Sequence, residues 1–239
     1  MIINILRMKT FSLLLSFCTF FFLTTVFAQN ADEDVAAYAK IETNLGVMVF
    51  SLSNKTPKHT SNFIKLAKAG YFNTYEFNRV IKGFVIQGGE TDSAYAAMEK
   101  EGKVLERINP EFNDGLFHQK GALAAGRDDN KEKTSFTGQI YVVDGRKYND
   151  TQLDAIEKRL GSSFKFSDGV RKAYKEIGGT PSLDQNYTVF GQLVKGWDVL
   201  ERIAGQPKSK SDKPLSKVTM KVKILSKKQA KSELNNSKS

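Results

Sequence analysis

The sequence predicts a mainly β protein, an antiparallel barrel with few and peripheral helices, and three observations carry that expectation. Short apolar runs follow one another along the chain, several alternating with period two. Turn residues such as Asn44-Leu45-Gly46 and Lys82-Gly83 separate them. The helical patterns are few and lie at the margins of these runs.

"AYAKIETNLGVMVFSL" reads as a hairpin of two strands. "TPKHTSNFIKLAKAGY" predicts a helix capped by Thr56, with Pro57 in its first turn, an apolar stripe of Phe63, Leu66 and Ala67, and Gly70 at its end. "YEFNRVIKGFVIQGGE" is a second hairpin, with strands Phe77–Ile81 and Phe84–Gln87, followed by a polar connection from Glu90 to Gly102. "KGALAAG" and "GQIYVVDG" are two further strands flanking a charged loop, in which Asp128-Asp129 is expected to be solvated. "NYTVFGQLVKG" is a strand and "WDVLERIAG" a short helix, with Trp197 expected in the core. "SKVTMKVKIL" closes the fold, with Val218, Met220, Val222 and Ile224 inward and Lys221 and Lys223 outward.

Residues 144–182 break this rhythm. Leu153, Ile156 and Leu160 fall on one helical face, and Val170, Ala173, Tyr174 and Ile177 on another, each pattern ending in Gly. Some forty residues bury little core alone, so a helical-hairpin insertion within a barrel loop is expected.

The first residues have another character. Arg7 and Lys9 precede "TFSLLLSFCTFFFLTTVFA", and Val26 and Ala28 stand at the −3 and −1 positions of a cleavage site. This is the layout of a secretory signal peptide, residues 1–28. The apolar run lies near the lower limit of about 17–25 residues for a spanning helix, so an uncleaved anchor is the competing reading. The small-residue ending favours cleavage, with no membrane attachment afterwards and a periplasmic location. Cys18, the only cysteine, leaves with the signal, which removes disulfide, thiol-nucleophile and cysteine-metal chemistry.

The formal net charge is +10, but ten lysines crowd residues 206–239 against Asp212 and Glu233, so the basic character belongs to the C-terminal segment. Residues 227–239 are expected to be a disordered basic tail, and the absence of aromatics there argues against nucleic-acid binding. A competing use is attraction to an anionic surface polymer.

His59 and His118 are the only histidines and form no HxH or HxxxH pair; no GxSxG, GxGxxG or GxxxxGK[ST] motif is present. No metal and no cofactor are therefore expected. What remains is the second hairpin, where Arg79 and Gln87 stand beside Phe84 and Val85. An apolar floor with a few convergent polar heads is the usual form of a small ligand site.

At this hairpin the sequence resembles the cyclophilin-type peptidyl-prolyl cis–trans isomerases, whose signature Phe-His-Arg-Val-Ile-x-Gly-Phe-Met-Ile-Gln-Gly-Gly-Asp is close to "FNRVIKGFVIQGGE". "TPKHTSNFIKLAKAGYF", "EFNDGLFHQKGALAAGR" and "LDQNYTVFGQLVKGWDVLERIA" look like further family landmarks, in family order across about residues 37–226. The resemblance implies a closed eight-stranded barrel capped by two helices, within an isomerase domain of residues 35–226. It implies that Arg79 is the catalytic arginine and that Phe84, Val85, Tyr141 and Leu183 take the proline ring. Gln87, Gly126, Arg127, Gln139 and Tyr187 would hold the peptide backbone. Asn78 replaces the motif's His, Val85 its Met and Tyr141 a Phe, while Ser182 stands where drug-sensitive members have a tryptophan, so weak cyclosporin binding is expected. The implied partners are proline-containing segments of folding exported proteins, met by a monomer. A peptide-binding or chaperone module with little turnover is the alternative.

Physical chemistry supplies the reaction. Rotation about an X-Pro bond meets a barrier of about 18–20 kcal/mol set by amide resonance. Twisting localises the lone pair on the proline nitrogen, and a guanidinium there stabilises the twisted state above either planar one.

Overall fold

The computed structural model describes residues 34–235. The signal-peptide reading, with Cys18, and the last four tail positions fall outside them.

Eight strands form one sheet in the order β10-β1-β2-β9-β6-β8-β4-β3. They are β1 (Val35–Thr43), β2 (Gly46–Ser53), β3 (Phe77–Ile81), β4 (Val85–Gly89), β6 (Ala122–Ala125), β8 (Gln139–Val143), β9 (Val189–Lys195) and β10 (Lys221–Leu225). Two short strands, β5 (Arg107–Ile108) and β7 (Ser135–Phe136), pair separately. Every register-defined ladder is antiparallel.

The expected closed barrel is corrected to an open sheet curled around its core. β3 and β10 share no ladder; Glu76 and Thr219 form a single bridge, and the Phe77 amide donates to the Val218 carbonyl at 3.0 Å. The physical reason lies in residues 209–218, which occupy the β3 edge themselves: the Val80 amide donates to the Asp212 carbonyl at 2.8 Å.

Alternation within the strands separates two faces. Val80, Ile86, Val142 and Leu123 pair in one lateral row, and all four are fully buried in the main cluster. Helices α1 (Pro57–Lys68) and α5 (Trp197–Ala204) add Phe63, Ala67, Val199, Leu200 and Ile203 to the same cluster. Each such side chain contributes roughly 1.5–3 kcal/mol by leaving water.

Two helix details differ from expectation. Thr56 occupies the N-cap of α1 but its hydroxyl has no partner; Glu111 caps instead, accepting from the Lys58 and His59 amides at 3.0 Å each. Trp197 is not a core residue. It is 39% exposed at the start of α5 and lies over Gly121, where a Cβ would come within 2.7 Å of its ring.

Three segments carry more structure than their sequence suggested. The Glu90–Gly102 connection contains α2 (Asp92–Lys100), capped by the Thr91 hydroxyl, with Tyr95 stacked on Phe136 at 3.7 Å. Asp128 is not merely solvated but takes a two-pronged hydrogen bond from Arg107, both at 2.8 Å. Lys227–Asn235 form helix α6 rather than a disordered tail: Ala230 packs with Val49 and Leu225, and Glu233 receives Lys40 at 2.7 Å.

The insertion is a helical hairpin as expected, α3 (Asp150–Leu160) and α4 (Asp168–Glu176). It has its own small core of Leu153, Ile156, Phe166 and Tyr174, whereas Ile177 is exposed. One guanidinium, Arg171, binds Glu157, Asp154 and Asp150 at 2.8, 2.9 and 3.0 Å, and Glu157 is only 2% exposed. The stem closes on the barrel where Arg146 and Gly179 exchange two backbone hydrogen bonds. A Cβ on Gly145 would come within 2.5 Å of Gly179, so glycine is needed there by contact and by its φ of +62°.

Candidate active site

The outward rows of the sheet build the site. Arg79 pairs with Gln87, Gln87 with Tyr141, Tyr141 with Ala124, and Ala124 with Val189. Residues opposed across a ladder project to one face, and strands lie ~4.8 Å apart, so the backbones of Arg79, Gln87 and Tyr141 span about 10 Å.

A register shift between Phe77 and Arg79 makes this row possible. Two residues apart in a regular strand, they would share a face. The bulge instead turns Phe77, 1% exposed, into the core and Arg79 outward. Asn78 sits in the bulge, its side-chain amide donating to the Gly89 carbonyl at 2.8 Å.

Behind the row, Val85, Ala122, Ala124, Tyr141, Val143 and Val189 form an outer apolar cluster, against which Phe84, Leu183 and Tyr187 pack. Phe84 ends the hairpin turn, its amide donating to the Ile81 carbonyl, and its own carbonyl takes the amides of Asp144 and Gly145 at 3.0 Å each. Leu183 ends the 3-10 turn Pro181–Leu183 that follows the insertion, with Ser182 exposed beside it.

Arg79, Phe84, Val85, Gln87, Gly126, Arg127, Gln139, Tyr141, Leu183 and Tyr187 all line one pocket of about 150 Å³, joined by Asp92. Drug-sized ligands need roughly 300–1,000 Å³, so this volume suits a single side chain. On the far side of Arg79 and Gln87 a polar trough continues past Glu76, Glu90 and Lys213.

The polar heads differ in how they are engaged. Gln87 makes no side-chain hydrogen bond among the described residues, and Arg79, 39% exposed, has as its ion-pair partner only Asp212, at 3.9 Å from Nε. Asp212 lies closer to Lys208, at 2.6 Å. Gln139 donates through Nε2 to the Glu90 carbonyl and to Asp92, at 3.0 and 2.7 Å. Its amide oxygen is thereby turned towards Gly126, where an added Cβ would lie 1.9 Å away. Arg127 is largely committed elsewhere: it donates to the Asn186 and Asp128 carbonyls at 2.6 Å each and lies over the Tyr187 ring at 4.7 Å.

Beneath the pocket runs a buried chain of polar groups. The Tyr141 hydroxyl meets His118 Nε2 at 2.8 Å, His118 Nδ1 meets Asp184 at 2.6 Å, and the Tyr174 hydroxyl donates to the other Asp184 oxygen at 2.5 Å. Burial first, then the nearby Asp184 charge, pushes the Tyr174 hydroxyl well above its ordinary range; burial chiefly does the same to Tyr141. Both stay neutral. This chain joins the insertion to the pocket floor, and sequence reasoning missed it, as it missed Asp92 and Asp212. The Asp184 signal was present in "LDQN", one residue beyond Leu183.

Comparison with known proteins is consistent with this geometry. Residues 38–224 match the family model described as cyclophilin type peptidyl-prolyl cis–trans isomerase/CLD. A Staphylococcus saprophyticus protein provisionally named as a peptidyl-prolyl cis–trans isomerase is 36% identical over 181 residues, covering 75% of this chain and 87% of the relative. A Staphylococcus aureus protein of the same provisional name is 34% identical with the same coverage. The crystal structure of a Cryptosporidium parvum cyclophilin type peptidyl-prolyl cis–trans isomerase shares the fold, with a TM-score of 0.56 at 24% identity over 80% of this chain and 98% of that one. The same parasite protein determined in the presence of the dipeptide Ala-Pro gives 0.55 over 79% and 99%.

Proposed function

The chain belongs to the cyclophilin-type peptidyl-prolyl cis–trans isomerase family, and on that premise we propose that Arg79 carries the isomerisation of X-Pro bonds in the pocket described above. Phe84, Val85, Tyr141 and Leu183 receive the proline ring. Gln87 and the amide oxygen of Gln139 hold the flanking backbone, with Gly126 leaving room for it and Tyr187, backed by Arg127, forming the end wall.

The observation that carries the reading is the pairing of Arg79 with Gln87 at the rim of a one-side-chain pocket, both heads uncommitted by close hydrogen bonds. A guanidinium held there hydrogen-bonds the proline nitrogen only as that atom becomes pyramidal. A planar amide nitrogen offers no such lone pair, so the interaction grows along the twist and lowers the barrier. The pocket's apolar floor keeps water from competing for the same donors. No bond is made or broken and no proton is transferred.

In a protease-coupled assay on a proline tetrapeptide, the full chain is expected to accelerate isomerisation. Arg79→Ala should lower kcat/KM about 10²–10³-fold, the cost of removing one transition-state donor. Undiminished turnover would refute the assignment. Peptide binding without turnover in the native protein would favour the binding-module alternative. The leader-like first residues further support a setting in which the substrates are exported chains folding outside the cytoplasm.

A further inference from the structure

We propose that the insertion builds a second peptide subsite, which takes an apolar side chain of the same substrate segment whose proline occupies the first pocket. The inference rests on the proline-site reading above and extends it to substrate selection.

A cavity of about 390 Å³ lies between the insertion and the barrel. Phe164, Phe166 and Val170 face it from the insertion, and Phe112, Leu116 and Tyr187 from the barrel side. These aromatic and aliphatic faces, with Asn113, Asp114 and Lys165 among the polar residues that complete the lining, offer contact for an apolar guest. The occupant follows from continuity. Tyr187 lines both this cavity and the proline pocket, and Leu116 and Val189 belong to the same outer apolar cluster as Val85 and Tyr141.

Tyr187 is thus a wall common to both cavities. An extended peptide advances ~3.3–3.6 Å per residue, so two to four residues cross that partition. The segment best placed to fill the cavity is the peptide already held next door. The partition is also braced from below: Asp184, which lines the second cavity, bonds Tyr174 of the insertion and His118 under Tyr141.

The test compares the full chain on a proline tetrapeptide with its action on longer peptides. Phe or Leu is placed two, three or four residues from proline on either side, against Ala and Asp at the same positions. An apolar residue at one register, on one side only, should lower KM about tenfold, with kcat altered less. The preference should collapse in both Phe164→Ala and Val170→Asp. Equal KM for Ala and Phe at every register would overturn the proposal, as would a preference that survives both substitutions. Calorimetric titration of the same peptides reads the subsite without turnover. A failure of the proline-site reading, seen as no action on the tetrapeptide, is thus distinguished from a failure of this one.

Discussion

The two walls of the groove are held in opposite ways. The β3–β4 wall is fixed by backbone: Arg79, Gln87 and Tyr141 are consecutive partners in the hairpin ladder and the β4–β8 ladder, over a fully buried inner row. The insertion wall is fixed by side chains: one arginine bridging three carboxylates, four buried apolar residues, and the Tyr174–Asp184 bond. Ladder geometry tolerates little displacement, whereas a cluster centred on one guanidinium can be loosened by one substitution. Chemistry that depends on a single donor's position belongs on the first wall. The second is suited to choosing substrates.

Substitutions on each wall should expose this contrast. Arg79→Lys keeps a positive charge but loses the planar fork and its reach, and kcat/KM should fall at least ~30-fold with the melting temperature little changed. Arg171→Met leaves Glu157 buried with Lys165 as its remaining cationic partner. A loss of about 2 kcal/mol is expected, confined to the insertion. Hydrogen exchange should then quicken over residues 150–176 while the β4 and β8 amides stay protected; uniform quickening would erase the contrast. Gly126→Ala must displace the Gln139 amide, and KM on the tetrapeptide should rise severalfold at similar kcat.

Acid should act first on the barrel side. Burial outweighs the Glu111 carboxylate and holds His59 below its ordinary 6.5, so folded His59 is neutral. Its contribution is complete above pH 6.5, where the unfolded histidine is also neutral, and is lost as pH falls through the lowered folded value. Burial alone would raise Glu111, but hydrogen bonds from His59 and the Lys58 amide overcome it, so its contribution is lost only below its ordinary 4.5. Asp150 of the insertion is lowered by Lys175 and then Arg171, from an ordinary 3.8. The melting temperature should therefore begin to fall near pH 6.5, and His59→Gln should remove that first step. A native protein flat from pH 7 to 5 would show that His59 is not the sensitive group.

What was legible in the sequence was local. Alternation around Lys82-Gly83 revealed the hairpin, and the family resemblance named ten of the eleven residues that line the pocket. The bulge was not legible, because in period-two reading Phe77 and Arg79 share a face; only the register of the pairing with β4 shows the extra residue. Asp92 and Asp212 reach the groove from segments whose own periodicity is weak, and their distance to Arg79 or Gln139 is set by tertiary closure. Helix α6 did leave a trace. Ser226 and Gln229 form reciprocal cap bonds, the Ser-x-x-Gln pattern being readable beneath the lysines that suggested disorder. The Tyr174–Asp184–His118–Tyr141 chain joins residues far apart in sequence, and no spacing rule finds it.

The glycine stem at Gly145 and Gly179 has a consequence for the history such a chain can have. Since the excursion leaves and returns where Arg146 and Gly179 exchange two backbone hydrogen bonds, the length of its outer loop is uncoupled from the strands on either side, while Tyr174 stays tied to Asp184. Descendants could lengthen, shorten or exchange the segment beyond that tie, altering which clients are served, without relearning how to turn a proline.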